Sequence, residues 1–345
     1  MPRAPATPPR LESVAELKAS PPDEPRPFSG VFLFLRGNSR RAKNGNEFFV
    51  TELGDRTGSF STTCFNDSAA YAFFTGQTSG AIVRVEGVTE RYQGKFSPKL
   101  TSVAPLGPEE IAGGNWLSKL VESSPEDPAA LAAELTGFVD SIPHEGLRAT
   151  ARQVFEDLGD RFRTAPAAVA MHHAYRHGLL EHTVHVTRAA RALLPLYPEV
   201  DPSLVLTGVL LHDVGKALEY EGDTAPAKSR TGILQGHVVL GYRLVRQAAM
   251  KIKPRLDATL LERLEHIILS HQGELEWGAA TLAATPEAVF VAMVDNFDAK
   301  MGMTQQALRN TPPTQDFSEF LPGLRVSLLT TPPPTRAEPP ENPPA

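Results

Sequence analysis

A histidine and an aspartate stand side by side at the end of an apolar run, where His212 and Asp213 follow residues 204–211 in the motif LLHDVGK. Burying an imidazole and a carboxylate at the end of an apolar helix costs free energy unless a strong charge compensates them. A divalent metal ion is the usual compensation. The pair therefore predicts a metal centre inside a bundle of helices.

Other groups of the same kind occur before and after this pair. They lie in the motifs GLLEHT, GH, LSH and VDNFDAK, as His182, His237, His271 and Asp295. Mixed imidazole and carboxylate ligands suit Mn, Fe, Co or Zn, and six of them exceed what one structural zinc needs. A centre with two metal ions is therefore expected. His185, one helix turn from His182, is interpreted as an ordinary hydrogen-bonded histidine.

Composition places the chain among ordinary globular proteins. Its 345 residues leave room for about two domains, with 41% hydrophobic and 21% charged residues and a net charge of -6. The single cysteine, Cys64, excludes an internal disulfide. The sequence has no apolar stretch long enough to span a membrane, and its start lacks a signal-peptide core. We therefore expect a cytoplasmic protein with no membrane association.

Short β-type segments separated by turns occupy the first third of the chain. Five of them, FSGVFLFLRG, NEFFVTELGD, GSFSTTCF, GAIVRVEGV and KFSPKLTSV, lie between residues 27 and 106. Five strands in about eighty residues suit a small closed barrel, and their layout resembles an OB-fold. A five-stranded OB-like barrel is therefore expected, as a nucleic-acid-binding domain.

Helical periodicity dominates the second half, so the fold class is a multi-domain β plus α protein. Both ends are rich in proline and are expected to be disordered. The predicted organisation is a disordered segment over 1–26, the barrel over 27–106, a linker over 107–124, a helical domain over 125–310 and a disordered tail over 311–345.

The barrel region is mildly basic although the whole chain is acidic. Residues 27–105 contain nine Lys and Arg against six Asp and Glu. Cations that follow phosphates, next to aromatic groups that stack on bases, are typical of single-strand binding. Phe48 and Phe65 either stack on bases or fill the barrel, and the sequence leaves both readings open. The predicted nucleic-acid contacts are Arg36, Arg40, Arg41 and Lys43, in the loop expected between the first two strands, and Tyr92 and Lys95, in the last hairpin.

The motifs GLLEHT, LLHDVGK, GH, ILSHQGELEWG and VDNFDAKM together resemble the HD-domain metal-dependent phosphohydrolase superfamily. With a barrel before them, they resemble the YhaM-type 3′ to 5′ exoribonucleases, from about residue 28 to residue 303. The resemblance implies one metal bound by His182, His212, Asp213 and Asp295. It implies a second metal that adds His237 and His271.

The resemblance also implies a reaction. Two divalent ions, with Mn²⁺ the first choice and Co²⁺, Fe²⁺ or Mg²⁺ as alternatives, would activate water against a phosphodiester of single-stranded RNA or DNA. Asp213 would orient the water, and Lys216 would lie near the phosphate. His172 and His173 are possible substrate contacts. Relatives often carry a second histidine after ILSH, where this chain has Gln272, so His266 is an alternative ligand of the second metal.

Two other functions fit the same residues. An HD phosphohydrolase of a signalling nucleotide would use the barrel as a sensor. A non-catalytic nucleic-acid-binding protein would retain the metal site only as a remnant or a structural element. The leading hypothesis is a 3′ to 5′ exoribonuclease that releases nucleoside 5′-monophosphates, and the sequence does not predict its oligomeric state.

Overall fold

The computed structural model describes residues 10–21, 24–42, 45–92, 95–168, 175–222, 224 and 226–333. The backbone alone is described for Tyr92, Lys95 and Ala112. The chain divides into two compact units. One consists of Met1–Pro125 with Tyr220–Lys228, and the other of Glu126–Glu219 with Ser229–Ala345.

Antiparallel strands form the centre of the first unit. They are β1 (Pro27–Arg41), β2 (Glu47–Asp55), β3 (Gly58–Phe65), β4 (Ile82–Val88), β5 (Arg91–Tyr92), β6 (Lys95–Phe96) and β7 (Lys99–Pro105). Five of these pair in the order β3-β2-β1-β4-β7, and β5 and β6 form a separate hairpin. The five-stranded sheet expected from the sequence is confirmed.

One face of this sheet is apolar because the strands alternate buried and exposed residues. In β3, for example, Phe60, Thr62 and Cys64 are buried between exposed or half-buried neighbours. The Phe32 and Phe60 rings meet edge to face with centroids 5.3 Å apart. The edges of the sheet approach each other where the Thr62 hydroxyl donates to the carbonyl of Pro98, just before β7. This contact is what the predicted barrel requires.

Four short helices and a second hairpin complete the first unit. The helices are α1 (Val14–Lys18), α2 (Ala69–Thr75), α3 (Pro108–Gly113) and α4 (Trp116–Leu120). The hairpin consists of β8 (Tyr220–Glu221) and β9 (Ala227–Lys228). At its tip, the Thr224 hydroxyl donates to the Gly80 carbonyl at 2.9 Å. The interval predicted as a linker thus contains α3 and α4.

The predicted disorder of residues 1–26 is wrong for the part that contains α1. Ser13 and Glu16 form a capping box at the start of this helix. Val14 and Leu17 are fully buried in the core of the sheet. The backbone N–H of Val14 also donates to Asp55 at 2.8 Å. Two apolar residues on one helix face are therefore enough to hold a segment with otherwise unfavourable composition.

The second unit is helical, as expected. Its helices are α5 (Pro128–Asp140), α6 (Glu145–Leu158), α7 (Asp160–Thr164), α8 (Gly178–Leu193), α9 (Pro202–Leu211), α10 (Lys216–Glu219), α11 (Arg230–Lys251), α12 (Ala258–Ser270) and α13 (Pro286–Asn310). Asp127, Asp201 and Thr285 accept backbone hydrogen bonds at the starts of α5, α9 and α13, each followed by proline. Short 3₁₀ turns cover Leu194–Leu196 and Leu275–Trp277.

Helix α9 lies at the centre of this unit. Residues 203–211 are all buried, and α9 contacts α5, α6, α8, α12 and α13. Because every side of the helix is covered, its sequence is apolar all round rather than amphipathic. Gly208 lets α12 approach, since a Cβ there would lie 2.8 Å from a methyl group of Ile267. The helix ends at Leu211, so its last turn delivers the His212-Asp213 pair into the interior.

The predicted disorder of residues 311–345 is also too broad. A hairpin of β10 (Phe317–Leu321) and β11 (Val326–Leu329) lies within it. Arg325 adopts a positive φ of 58° in the turn between the two strands. The proline content of the surrounding tail obscures these two short strands in the sequence. Residues 334–345 lie outside the described part of the chain.

Candidate metal centre

Six side chains that the sequence singles out converge in the second unit. They come from separate helices or helix ends, which are distant in the sequence. α8 carries His182, the end of α9 carries His212 and Asp213, α11 carries His237, the end of α12 carries His271, and α13 carries Asp295.

Two glycines determine where His237 lies. Gly236 has a φ of +70°, which favours glycine, and it breaks α11 so that His237 starts a new helical segment. Gly215, two residues after Asp213, leaves space for that segment. A Cβ on Gly215 would lie 1.9 Å from the carbonyl oxygen of His237. The segment that carries Asp213 therefore approaches the segment that carries His237 more closely than a larger residue would allow.

The first group of ligand atoms surrounds one oxygen of Asp213. His182 Nε2 lies 3.1 Å from His212 Nε2 and 3.4 Å from Asp213 Oδ2. Asp295 Oδ1 lies 3.2 Å from His182 Nε2 and 3.5 Å from His212 Nε2. Three of these residues are fully buried, and the Asp295 side chain is 14% exposed. The four residues therefore present two nitrogens and two oxygens to one point.

The second group surrounds the other oxygen of the same carboxylate. Asp213 Oδ1 lies 3.5 Å from His237 Nε2 and 3.4 Å from His271 Nε2. Asp213 Oδ1 is buried and has no hydrogen-bond partner in the described part of the chain. An ionised oxygen left in this way is costly unless a cation meets it. The arrangement places Asp213 between two candidate metal sites.

The spacing of these atoms matches a shared ion. Ligands about 2.1 Å from one ion are about 3.0 Å apart in an octahedral arrangement and about 3.4 Å apart in a tetrahedral one. The separations around Asp213 range from 3.1 to 3.5 Å. Since the donors are imidazole and carboxylate groups, both sites fit a divalent metal.

The imidazole rings are held with Nε2 facing inward. The carbonyl oxygens of Val209 and Ile268 accept from Nδ1 of His212 and His271 at 2.8 and 2.7 Å. Since a carbonyl can only accept, Nδ1 carries a hydrogen, and in the neutral ring the lone pair lies on Nε2, toward the centre. This is the tautomer that a metal ion needs.

Carboxylates orient the other two rings. Asp298 Oδ2 lies 2.8 Å from Nδ1 of His182, and Glu219 Oε2 lies 2.9 Å from Nδ1 of His237. Outer carboxylates of this kind fix the ring and raise its basicity toward a metal. The sequence analysis missed both residues. Asp298 could have been found, because it lies one helix turn after Asp295 and so on the same face.

The charges of the site strongly favour ionised carboxylates. Burial opposes ionisation of Asp213, but the charges of Lys216 and His212 and hydrogen bonds from the histidines outweigh it and hold its pKa well below the ordinary value. Burial likewise opposes protonation of His212, yet Asp213 and Asp295 raise the pKa of that imidazole to about 9. The centre therefore attracts positive charge. Two anionic side chains and a cluster of imidazoles are suited to divalent ions.

Two further predicted groups have clear positions. Lys216 Nζ lies 2.5 Å from Asp213 Oδ2, and its side chain is 12% exposed. His266 instead accepts from the backbone N–H of Ala284 at 2.8 Å, which favours His271 over His266 at the second group. His172 and His173 lie outside the described residues.

Another cluster adjoins the first group. Its members are Glu126, Glu181 and His185, and His185 Nδ1 lies 3.7 Å from Asp298 Oδ1. His185 also pairs with Glu126, which Arg188 contacts as well. His185 therefore continues the network that begins at His182, through Asp298.

Comparisons with known proteins agree with this geometry. A family model of the HD domain matches residues 179–300, which contain all six candidate ligands. The chain is 30% identical over 296 residues to a protein named 3′-5′ exoribonuclease YhaM from Shouchella clausii, over 86% of this chain and 90% of the relative. The chain belongs to this family. A relative with the same name from Bacillus velezensis is 29% identical over 286 residues, over 82% of this chain and 88% of the relative.

Membership of the YhaM-type family confirms the expected enzyme class, a hydrolase with an HD domain. The metal-dependent chemistry of HD domains agrees with the ligand clusters described above. No helix in the described ranges combines the length and the apolarity needed to cross a bilayer.

The first unit of this YhaM-type chain carries a row of side chains across one face of its sheet. Arg40 of β1 is directly opposite Phe48 of β2, which is directly opposite Phe65 of β3. Directly opposed residues share a face. Arg40 is exposed, Phe48 is half-buried and Phe65 is 62% exposed, so the core reading of Phe65 is wrong. Phe65 faces outward because adjacent residues of a strand lie on opposite faces of the sheet, and its neighbour Cys64 is buried.

The other predicted nucleic-acid contacts have different outcomes. Arg36 pairs with Glu52 at 2.6 Å and Arg41 with Glu47 at 3.3 Å, and both arginine side chains are more than 70% exposed. We expected these arginines in a loop, but β1 extends through Arg41 because it pairs with β2 along this length. Lys43 lies outside the described residues, and the side chains of Tyr92 and Lys95 in the β5–β6 hairpin are not described.

Proposed function

We propose that this protein is a metal-dependent 3′ to 5′ exoribonuclease that hydrolyses single-stranded RNA to nucleoside 5′-monophosphates. The observation that carries the proposal is the carboxylate of Asp213, whose two oxygens face two separate groups of imidazoles. Family membership supports the same activity, because both relatives are named 3′-5′ exoribonucleases. The site of action we expect is the cytoplasm.

The proposed ligands divide between two ions, with Asp213 shared. His182, His212 and Asp295 complete the first site, and His237 and His271 belong to the second. Mn²⁺ is our first choice, because oxygen and nitrogen donors are mixed and thiolates do not contribute to these groups. When bound, such ions lower the pKa of water and neutralise phosphate charge.

The chain's own groups prepare the site for this chemistry. Asp213, which stays ionised, would accept a hydrogen bond from an O–H of the attacking water and so orient it. Lys216 is held beside Asp213 by a charged hydrogen bond, and its ammonium can turn toward a substrate phosphate. The imidazoles of His182, His212 and His271 are buried, and the low effective dielectric around them strengthens these electrostatic contacts.

The row of Arg40, Phe48 and Phe65 is the proposed binding surface for single-stranded RNA. An exposed ring can stack on a base, and a guanidinium beside it can contact a phosphate. Because every base has a flat face, stacking of this kind accepts any sequence. Single-stranded DNA is a second possible substrate. Arg36, Arg41, Lys43, Tyr92, Lys95, His172 and His173 remain predicted substrate contacts.

The direction of cleavage can be tested with labelled oligoribonucleotides and Mn²⁺, with and without a chelator. A strand labelled at its 5′ end should shorten one nucleotide at a time. A strand labelled at its 3′ end should lose the label at once, as a nucleoside 5′-monophosphate. Parallel reactions with DNA and with signalling nucleotides test the substrate class. Hydrolysis of small nucleotides alone would favour the signalling function instead.

A pair of variants connects the activity to Asp213. Asp213→Asn removes the charge from the shared carboxylate and should abolish cleavage while leaving oligonucleotide binding intact. Asp157→Asn is the matched control, because Asp157 lies on α6 and pairs with Lys251 away from the centre. Full nuclease activity in Asp213→Asn would contradict the proposed site.

A further inference from the structure

Gln272 lies at the second group of ligand atoms, although it is neither histidine nor acid. It follows His271 just after the end of α12 and is half-buried. Its amide nitrogen is 3.1 Å from His237 Nε2 and 3.0 Å from His271 Nε2. These are the same two nitrogens that face Asp213 Oδ1. The amide therefore sits at the point where the lone pairs of both rings converge.

The groups behind the two rings assign the hydrogen-bond roles around this point. His271 donates from Nδ1 to a carbonyl oxygen, and His237 donates from Nδ1 to the Glu219 carboxylate. Both Nε2 atoms are thus acceptors. One amide nitrogen has two N–H bonds, so Gln272 can donate to both rings at once. The oxygen of the same amide points the other way, and a rotation of the Gln272 amide by about 180° brings it between the two rings.

We propose that Gln272 is a ligand of the second metal ion through its carbonyl oxygen, which replaces the amide nitrogen between the two rings. The inference rests on the two-ion site proposed above. Cis ligands about 2.1 to 2.2 Å from one ion are about 3.0 to 3.1 Å apart, which matches the two separations from Gln272. The second site then consists of Asp213, His237, His271 and Gln272.

The chemistry of this ligand affects which metal the second site prefers. A neutral amide oxygen is a harder donor than an imidazole nitrogen, and hard oxygen donors suit Mn²⁺ and Mg²⁺. The first site has two imidazoles and two carboxylates, so it carries more negative charge than the second. The second ion is therefore the weaker of the two and the one that exchanges first.

Metal binding by the full chain tests this assignment without relying on catalysis. Calorimetric titration with Mn²⁺ and with Zn²⁺, together with elemental analysis after dialysis, gives the affinity and the number of ions per chain. Gln272→Leu should weaken the second Mn²⁺ by at least about tenfold, since even outer partners contribute this much. The first ion should bind as in the wild type. Gln272→His should raise the preference of the second site for Zn²⁺ over Mn²⁺.

A conservative variant separates ligation from a hydrogen bond that only supports the fold. Gln272→Glu keeps the oxygen and adds charge but loses both N–H bonds. Ligation predicts tighter binding of the second Mn²⁺, whereas a purely structural donor predicts weaker binding and a lower melting temperature. Gln153→Leu is the matched control, because Gln153 lies on α6 and its side-chain amide donates to Asp157, away from the ligand groups.

Each outcome has a separate meaning. Wild-type affinity for both ions in Gln272→Leu, or no gain in Gln272→Glu, would overturn the role of Gln272 and leave the two-ion site intact. If the wild-type chain itself binds only one Mn²⁺, the two-ion function fails instead. Should Gln272→Leu not fold, Gln272→Glu alone decides between ligation and support.

Discussion

The carboxylate behind the first ligand offers a sharp test of the metal centre. Asp298 contacts His182 on the side away from the site, at 2.8 Å, and its side chain is 13% exposed. The substitution Asp298→Asn keeps an oxygen that can accept from the ring but removes the negative charge. We expect the first ion to bind about 10- to 100-fold more weakly.

The magnitude follows from the position of the charge. The ring separates the Asp298 carboxylate from an ion at Nε2 by about 7 Å. One negative charge and a divalent ion at this distance interact by about 1 kcal/mol in bulk water and by about 5 kcal/mol at an effective dielectric of 20. The expected loss corresponds to about 1.4 to 2.7 kcal/mol, which lies between these limits.

The assay is Mn²⁺ titration of three variants by calorimetry. Asp298→Asn should weaken the first ion, and Glu219→Gln should weaken the second, because Glu219 supports His237. Asp157→Asn, in a carboxylate away from both groups, should change neither. The reasoning would be refuted if Asp298→Asn bound both ions as the wild type does, or if it affected only the ion next to His237.

Three other predictions concern the rest of the chain. Phe65→Ala should weaken binding of single-stranded RNA by about 1 to 3 kcal/mol at constant salt. Arg40→Ala should weaken binding and also lower the salt dependence of the affinity by about one released ion. Filter binding at several salt concentrations distinguishes the two variants. Glu287 is buried and accepts from Arg263 at 2.8 Å. Burial opposes its ionisation, but backbone hydrogen bonds and Arg263 outweigh this and lower its pKa. Glu287→Gln should therefore lower the unfolding free energy by about 1 to 2 kcal/mol at neutral pH. The difference between wild type and variant should shrink as the pH falls below 4.5, because the unfolded state gains the proton first. Burial raises the pKa of Cys64 to about 12, so iodoacetamide at pH 8 should label it only after denaturation, and rapid labelling of the folded chain would contradict its burial.

The sequence predicts the metal centre better than the supporting contacts. Ligands are visible because an imidazole and a carboxylate at the end of an apolar helix such as α9 need compensation by charge. The sequence does not single out Asp298 and Glu219 in this way, because the pattern around an acidic residue in a helix is the same whether or not it contacts a histidine ring. Helix spacing places Asp298 on the same face as Asp295, but the packing of α13 against α8, and of α10 against α11, shows which ring each carboxylate supports.

The ends of the elements show a second limit. Composition predicts disorder around α1 and the β10–β11 hairpin, but burial of two apolar residues orders α1 and strand pairing orders the hairpin. The polar end of β1 was predicted as a loop, since charge and exposure resemble a turn. Pairing with β2 keeps it extended. In each case a contact with a distant segment outweighs the local preference.

The position of His237 depends on Gly215, whose side chain is a single hydrogen atom. The space where a methyl group would stand is filled by the backbone carbonyl of His237. Alanine at this position would wedge two chain segments apart and draw one ring away from the shared carboxylate. The separation between the segments that carry Asp213 and His237 is thus set by contact between backbone atoms.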